Sequence, residues 1–424
     1  MQIIILAGGK GTRLLKFSKK PKIFLKFGNT KLIDLYLKIF KNFDTKKISF
    51  ILGNKGNDIK RYLKKKKFKG NIIIEEKPLG TAGYLKNFQK FSREDVLVIM
   101  GDILTKFDIN KFLKFHKKKK SDISLFVHPN NHPYDSDLVD INDNKKVLRF
   151  YSKERKKDYI SDNLATAGIY LFKSKVLKLL KKNKKQDLSK HLIQKAIKKN
   201  FLVYAYKSAE YAKDVGTPKR YFQAIQDIKN NRFNFSNSKK KNLAIFLDRD
   251  GILNKEKKNF KYSNPCNFYP KVFSSLKKIN QSKYLSILIT NQPAVAKGFI
   301  SKSYLEYSHK KMQTELGRNN VYLNDIFYCP HHPDKGFKNE LRKFKINCSC
   351  RKPKPGMIFK AQKYYNIDLS KSYFVGNSVN DYEAAKAAGV KPIIVNNTEL
   401  TKKIKQKKIF RNLESFIKSF FKKY

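Results

Sequence analysis

Two short apolar runs constrain this chain more than anything else in it. MQIIILAGG is an Ile-rich run that breaks into glycines, and NLAIFLDRDG, from Asn242, is a run that breaks into charge and glycine. A short run that is apolar at nearly every position reads as a strand buried on both faces, the mark of a parallel sheet covered by helices. In such sheets functional groups collect just past the C-terminal ends of the strands. Each run is therefore expected to be the first strand of an α/β domain, with a site in the loop that follows.

The rhythm continues behind both runs. Strand candidates follow the first at 47–53, 71–76, 95–102, 123–129 and 165–172, with helical stretches such as LIDLYLKIFKNF (32–43) between them. Behind the second they fall at 286–292, 325–330, 372–378 and 392–397. This βα alternation predicts two doubly wound, Rossmann-like α/β domains. A chain of 424 residues also exceeds what one ordinary core organises. The polar stretch NNRFNFSNSKKKN lies between the two series. The expected division is a first domain over 1–230, a linker over 231–241 and a second domain over 242–424.

Composition narrows the class. Hydrophobic residues at 41% and aromatics at 13% supply real cores, which excludes a disordered chain. No stretch approaches the roughly 20 apolar residues of a membrane span, and no basic region precedes the first apolar run as in a signal peptide. The expectation is a cytoplasmic protein without a membrane partner. Four cysteines in so long a chain speak against a disulfide framework. The net charge of +60 would attract polyanions. The lysines, however, are spread over nearly every segment and no arginine–aromatic motif appears, so no specific nucleic-acid partner is expected. An anionic substrate would be drawn in by the same charge.

The loop LAGGKGTRL (6–14) carries Gly8, Gly9 and Gly11, which let backbone N–H groups approach phosphates. It is neither GxGxxG nor a Walker loop. Arg13 lies within it and Pro21-Lys22 follows, two cations suited to a triphosphate. A strand ends in Gly101-Asp102, and Asp214 stands in KDVGTPKRY. Taken in order, these four features resemble the sugar-1-phosphate nucleotidyltransferases, and EEKPLGTAGYL (75–85) matches that family's base-recognition loop. The resemblance implies a GT-A-like fold and attack of a sugar phosphate oxygen on the α-phosphorus of a nucleoside triphosphate, with pyrophosphate leaving. Gly8, Gly9, Gly11 and Thr12 would then lie against the nucleotide, as would Gly80, Thr81, Ala82 and Gly83. Arg13 and Lys22 would stabilise phosphoryl charge, and Asp102 and Asp214 would hold Mg²⁺, which favours carboxylate oxygens. Lys153, in FYSKER, would meet the sugar phosphate, although Ser152 stands where the family often has Glu.

LDRDGILN (247–254) places Asp248 and Asp250 directly behind the second run. With Thr290-Asn291 behind SILIT, Lys352 in RKPKPGM and the strand SYFVGNSVND, it resembles the haloacid-dehalogenase (HAD) phosphatases. By that resemblance Asp248 is the nucleophile and Asp250 the acid–base. Thr290, Asn291, Arg351 and Lys352 would bind substrate phosphate. Asp248, Asp250, Asn377 and Asp381 would form the Mg²⁺ site, although Asn377 stands where the superfamily has a metal-binding Asp. Cys329-x-His331 and, after 332–347, Cys348-x-Cys350 supply four ligands suited to a closed structural zinc site. His332 is the alternative to His331. The zinc loop and CxCRKPKPGM resemble the heptose-1,7-bisphosphate phosphatases more than the histidinol-phosphate phosphatases.

Together the resemblances imply a bifunctional enzyme. One half would remove the 7-phosphate of D-glycero-D-manno-heptose 1,7-bisphosphate, and the other would cap the 1-phosphate with a nucleotide, GTP being the expected donor. The alternatives are a CTP, UTP or dTTP enzyme for another sugar fused to a histidinol-phosphate-type phosphatase, and a basic nucleic-acid-binding protein.

Overall fold

The computed structural model describes residues 1–9, 11–14, 20–90, 94–155, 159–235, 240–255, 266–406 and 408–422; residues 236–239 of the expected linker lie outside these. Contacts divide the chain into two compact units. One comprises 1–128, 136–155 and 165–229; the other comprises 230–424 with 129–135 and 156–164.

In the first unit strand Gln2–Ala7 is central, parallel to Ile48–Leu52 on one side and Asp95–Met100 on the other, with Asn71–Ile74 beyond Ile48–Leu52. Ile3, Ile4, Ile5 and Val96 through Ile99 are fully buried, as runs covered on both faces must be. The helices Leu32–Ile39, Gly56–Lys65 and Ile109–Lys118 fall between strands, where the alternation puts them. Past Asp95–Met100 the sheet becomes antiparallel, first at Leu164–Lys173 and then at the hairpin Leu138–Ile141/Val147–Tyr151. An apolar run carries no directional signal, so this mixed edge is a feature that periodicity does not encode. A separate ribbon pairs Ile103–Lys106 with Tyr211–Asp214 and sets Asp214 opposite Ile103.

The second unit is a parallel five-stranded sheet in the order Asp325–Cys329, Tyr284–Asn291, Leu243–Leu247, Tyr373–Gly376, Lys391–Ile394. Strand Leu243–Leu247 is buried throughout; it is the unit's first strand, with the next two strands on one side and the last two on the other, a topological switch point. Its Ile245 belongs to a core cluster with Leu276, Met312, Val375 and Phe416, all nearly or fully buried. Helix Lys302–Arg318 starts at Ser301, whose side chain accepts the Tyr304 N–H. Within this unit Ser161 and Thr314 exchange two hydrogen bonds (2.9 and 3.1 Å), and Gly317 leaves the space that the Asn163 amide fills. Among the described residues, no helix is long and apolar enough to cross a membrane.

Candidate functional site

Each unit gathers polar groups at the C-terminal ends of its central strands. In the first, Gly8 follows Gln2–Ala7, Gly53 follows Ile48–Leu52, Glu75 follows Asn71–Ile74 and Asp102 follows Asp95–Met100. Lys22 Nζ lies 2.9 Å from Asp102 Oδ2. The ribbon brings Asp214 to the same point, and the Val215 N–H donates to the Asp102 carbonyl at 2.9 Å. A Cβ placed on Gly216 would meet Asp214 Oδ1 at 2.8 Å, Lys22 Nζ at 2.9 Å and Asp102 Oδ2 at 3.0 Å, so the three charged groups converge there. Burial, and then the Asp102 charge, push the Asp214 carboxyl up, against the pull of Arg220, which ion-pairs with it. Two carboxylates in one partly buried place fit a divalent cation. Tyr36 fixes the turn beneath them: its hydroxyl donates to the Ile103 carbonyl at 2.6 Å and accepts the Ile103 N–H.

The glycine loop is built for close approach. Gly11 has φ +67° and packs over the Lys22 side chain; a Cβ on Gly9 would meet nothing, while Thr12 and Arg13 are exposed. Gly80, at φ +74°, passes so close to the Gln186 carbonyl that a Cβ would lie 2.4 Å from it. Ala82 N–H donates to that carbonyl, and Thr81 Oγ1 donates to Asp187 and accepts from Leu188 N–H, so 80–83 are pinned by 186–188. Lys153 is exposed, its N–H donating to Asp137. Glu75 is a residue that the sequence reading does not single out. Its Oε2 would lie 3.2 Å from a Cβ on Gly8, its Oε1 is buried without a partner, and burial raises its pKa. The signal that could have found it is its place just past a strand end, as the first residue of the segment EEKPLGTAGYL.

In the second unit Lys352 is the hub. Its Nζ lies 2.9 Å from Asp248 Oδ1 and 2.6 Å from Asp381 Oδ1, and it donates to the Ile289 carbonyl at 3.1 Å. Its backbone is clamped by Asn291, which donates to the Lys352 carbonyl and accepts its N–H, both at 3.0 Å. Burial pushes the Asp248 carboxyl up to about 7, Lys352 opposing and Asp381 and Asp250 adding to it. Burial works against the Lys352 charge, but the two carboxylates outweigh it and hold the ammonium protonated. Asp250 is gripped by the buried Arg249 (Nη2 to Oδ2, 2.9 Å) and accepts from Gln292 Nε2, which also donates to the buried Thr290 hydroxyl. The Asn377 amide sits on Gly251, where a Cβ would lie 2.0 Å from Nδ2. It therefore faces the loop that carries Asp248 and Asp250.

Asp381, expected among the magnesium ligands, is fully buried with both oxygens engaged. Oδ1 takes Lys352; Oδ2 accepts from Asn377 N–H, Ser378 N–H and Ser378 Oγ in a capping box that starts helix Val379–Ala387.

Cys329, His331, Cys348 and Cys350 come together with their ligand atoms all within 4.8 Å of one another. Sulfur–sulfur separations are 3.2–3.5 Å and His331 Nδ1 lies 3.3 Å from Cys350 Sγ. Four ligands about 2.0–2.3 Å from one centre would stand at much these spacings, so the set fits tetrahedral zinc. His332 lies outside the set, its N–H donating to the Phe344 carbonyl. Arg351 Nη1 donates to the His331 carbonyl at 3.2 Å, which ties the Cys/His loop to the segment that carries Lys352.

Residues 2–231 match the nucleotidyl transferase family and residues 349–414 the HAD-hydrolase-like family. The chain is 37% identical over 147 residues to the D-glycero-beta-D-manno-heptose-1,7-bisphosphate 7-phosphatase of Vibrio cholerae, covering 35% of this chain and 77% of that protein. It is 40% identical over 153 residues to the D-glycero-alpha-D-manno-heptose-1,7-bisphosphate 7-phosphatase of Photorhabdus laumondii, covering 35% and 78%. Among solved structures it is similar to HddC of Yersinia pseudotuberculosis, with 24% identity, coverage of 54% and 99%, and a TM-score of 0.45.

Proposed function

The chain belongs to the nucleotidyl transferase family through its first half and to the heptose-1,7-bisphosphate 7-phosphatase family through its second, and from that premise we propose a bifunctional enzyme of nucleotide-activated heptose synthesis. The second unit removes the 7-phosphate of D-glycero-D-manno-heptose 1,7-bisphosphate. The first joins the remaining 1-phosphate to a nucleotidyl group and releases pyrophosphate.

The observation that carries the phosphatase reading is the Asp248–Lys352–Asp381 cluster behind the switch-point strand. Asp248 attacks phosphorus while the bond to the sugar oxygen breaks, and Asp250 gives that oxygen a proton. Asp250 then takes a proton from the water that cleaves the aspartyl phosphate. Lys352, anchored by Asp381, and Arg351 bind phosphate oxygens, with Thr290 and Asn291 shaping the pocket. Asp248, Asp250 and Asn377 would hold Mg²⁺, which supplies charge neutralisation for the phosphate dianion. Zn²⁺ on Cys329, His331, Cys348 and Cys350 would staple the loop that leads into Arg351.

In the transferase, Arg13 and Lys22 stabilise charge on the triphosphate, Asp102 and Asp214 would hold Mg²⁺, and Lys153 meets the sugar phosphate. The reading names GTP as the donor, and Glu75 supports it. A carboxylate accepts two hydrogen bonds side by side, and guanine offers N1–H and N2–H on one edge. The enzyme works where nucleoside triphosphates are made, in the cytoplasm.

The test is one incubation of the purified chain with each anomer of the heptose 1,7-bisphosphate and each nucleoside triphosphate in turn, counting phosphate and pyrophosphate separately. Phosphate without a triphosphate, and pyrophosphate only with GTP, is the expected result. Pyrophosphate release with another sugar 1-phosphate but not with the heptose would overturn the reading.

A further inference from the structure

The first unit has a second concave feature, built from the loop 181–187 and the helical segment that follows. It encloses about 580 Å³ and is lined by Lys181, Lys184, Lys185, Lys190, Lys195 and Lys198, with no carboxylate in its wall. Among the described residues none of the six makes an ion pair. Lysine is common everywhere on this chain, as in the last turn of helix Gly56–Lys65, so number alone marks nothing. Here six lysines line one concavity of small-ligand size, Lys195 Nζ donating to the Leu179 carbonyl at 3.0 Å, and charges gathered in this way raise the local positive potential above that of scattered ones.

The cavity wall is held in place. Gln186 is buried, accepts the Lys181 N–H at 3.0 Å and donates to the Lys181 carbonyl at 2.8 Å, closing the loop on itself. Asp187, the nearest acid in the segment, is occupied by the Ser189 and Lys190 N–H groups and by Thr81 Oγ1. The same loop is stitched to 79–82, since Gln186 N–H donates to the Leu79 carbonyl and Ala82 N–H to the Gln186 carbonyl, both at 2.9 Å.

We infer that this cavity binds a small anion carrying two or more phosphate groups, and that the bound anion stiffens the loop that pins Gly80 to Gly83. Lysine suits such a ligand as a set of point charges that accept any phosphate geometry. Pyrophosphate, a nucleoside diphosphate and a sugar bisphosphate share this chemistry.

The experiment is calorimetric titration of the full chain with inorganic tripolyphosphate at low salt. By the proposed function the triphosphate loop around Arg13 and the Arg351–Lys352 segment bind it too, so the wild type is expected to show this site beside those two. The double variant Lys184→Glu/Lys190→Glu should lose one of them, with affinity at that site falling about tenfold or more. Lys184→Gln/Lys190→Gln should weaken it less and guards against a folding defect. Lys64→Glu/Lys65→Glu, an equal charge change elsewhere, should leave all of the sites intact. Separate titrations with pyrophosphate, GDP and, in the Asp248→Asn background without Mg²⁺, heptose 1,7-bisphosphate identify the source by the tightest binding that the 184/190 substitutions remove. An isotherm unchanged in the 184/190 variants overturns the site, as does equal loss in the 64/65 control or binding no tighter than that of orthophosphate. The titration measures binding alone, so it stands apart from the catalytic reading.

Discussion

Asp381 Oδ1 lies 2.6 Å from Lys352 Nζ, and both side chains are almost wholly removed from solvent. The carboxylate thus fixes the position of the Lys352 ammonium, the group proposed to bind phosphate. Asp381→Asn keeps the shape and removes the charge. It should lower phosphatase kcat about tenfold or more and leave the Mg²⁺ concentration for half-activation unchanged, because no oxygen of Asp381 is spare. Asp381→Ala should also destabilise the second unit, by about 3 kcal/mol, since it strips the partner from a buried cation and removes half of a capping box. Phosphate release against Mg²⁺, with thermal unfolding, measures both. A shifted Mg²⁺ midpoint in Asp381→Asn would make the residue a ligand after all.

The two chemistries should separate by mutation. Asp248→Asn removes the proposed nucleophile and should cut phosphate release about a thousandfold or more, with pyrophosphate release intact. Asp102→Asn should do the reverse when heptose 1-phosphate is supplied directly. Loss of both activities in either folded variant would contradict a two-site enzyme.

Zinc should be present at about one per chain. Structural zinc contributes on the order of 10 kcal/mol of apparent binding energy in small peptides. Here a five-stranded sheet has a buried core of its own, so loosening on zinc removal should stay local to the loop that Arg351 ties to the His331 carbonyl. Cys348→Ser should lower phosphatase activity by freeing Arg351 and Lys352, with most of the unit still folded by circular dichroism. Metal analysis of freshly purified, reduced protein that finds no zinc removes the idea.

The fold is legible in the sequence because buried parallel strands announce themselves: the run at 71–76 is strand Asn71–Ile74 and that at 325–330 is Asp325–Cys329. The zinc set is legible because its ligand types and spacing are restrictive. The role of Asp381 is not, because S-x-x-D serves equally as a capping box, and only packing shows that its other oxygen meets Lys352. The meeting of Asp102 with Asp214 depends on a ribbon that pairs strands distant in sequence. Glu75 stays hidden because nothing local says that one of its oxygens is buried without a partner.

Glu75 supplies a test of base choice. Glu75→Gln replaces one acceptor with a donor, which opposes guanine N–H. The kcat/KM for GTP should fall about 10- to 100-fold, the worth of one bidentate contact, and the preference should move toward UTP. Burial raises the Glu75 pKa, so the folded protein holds the proton more tightly than the unfolded chain does and the charge costs stability at neutral pH. The ligand-free variant should therefore melt higher at pH 7, and the gain should vanish below about pH 4, where the wild-type group is protonated in both states. Unchanged nucleotide preference would take Glu75 out of the base site.

Asn377 carries the last prediction. Its amide rests on Gly251 and so faces the loop of Asp248 and Asp250. An amide oxygen can ligate Mg²⁺ but brings no charge, so the ion is held less tightly than by a carboxylate. The phosphatase should be active with a raised Mg²⁺ requirement. Asn377→Asp adds a negative charge near Asp248 and Asp250, whose mutual repulsion already helps to push the Asp248 carboxyl up. Without metal the variant should be less stable than the wild type. With Mg²⁺ the repulsion becomes attraction, and the activation curve should move to a lower concentration by about tenfold, while pyrophosphate release by the other unit does not respond. The measurement is phosphate release against Mg²⁺ for both proteins. Coincident curves would show that Asn377 is no metal ligand, and a wild type inactive at every Mg²⁺ concentration would mean that the second unit has lost its chemistry.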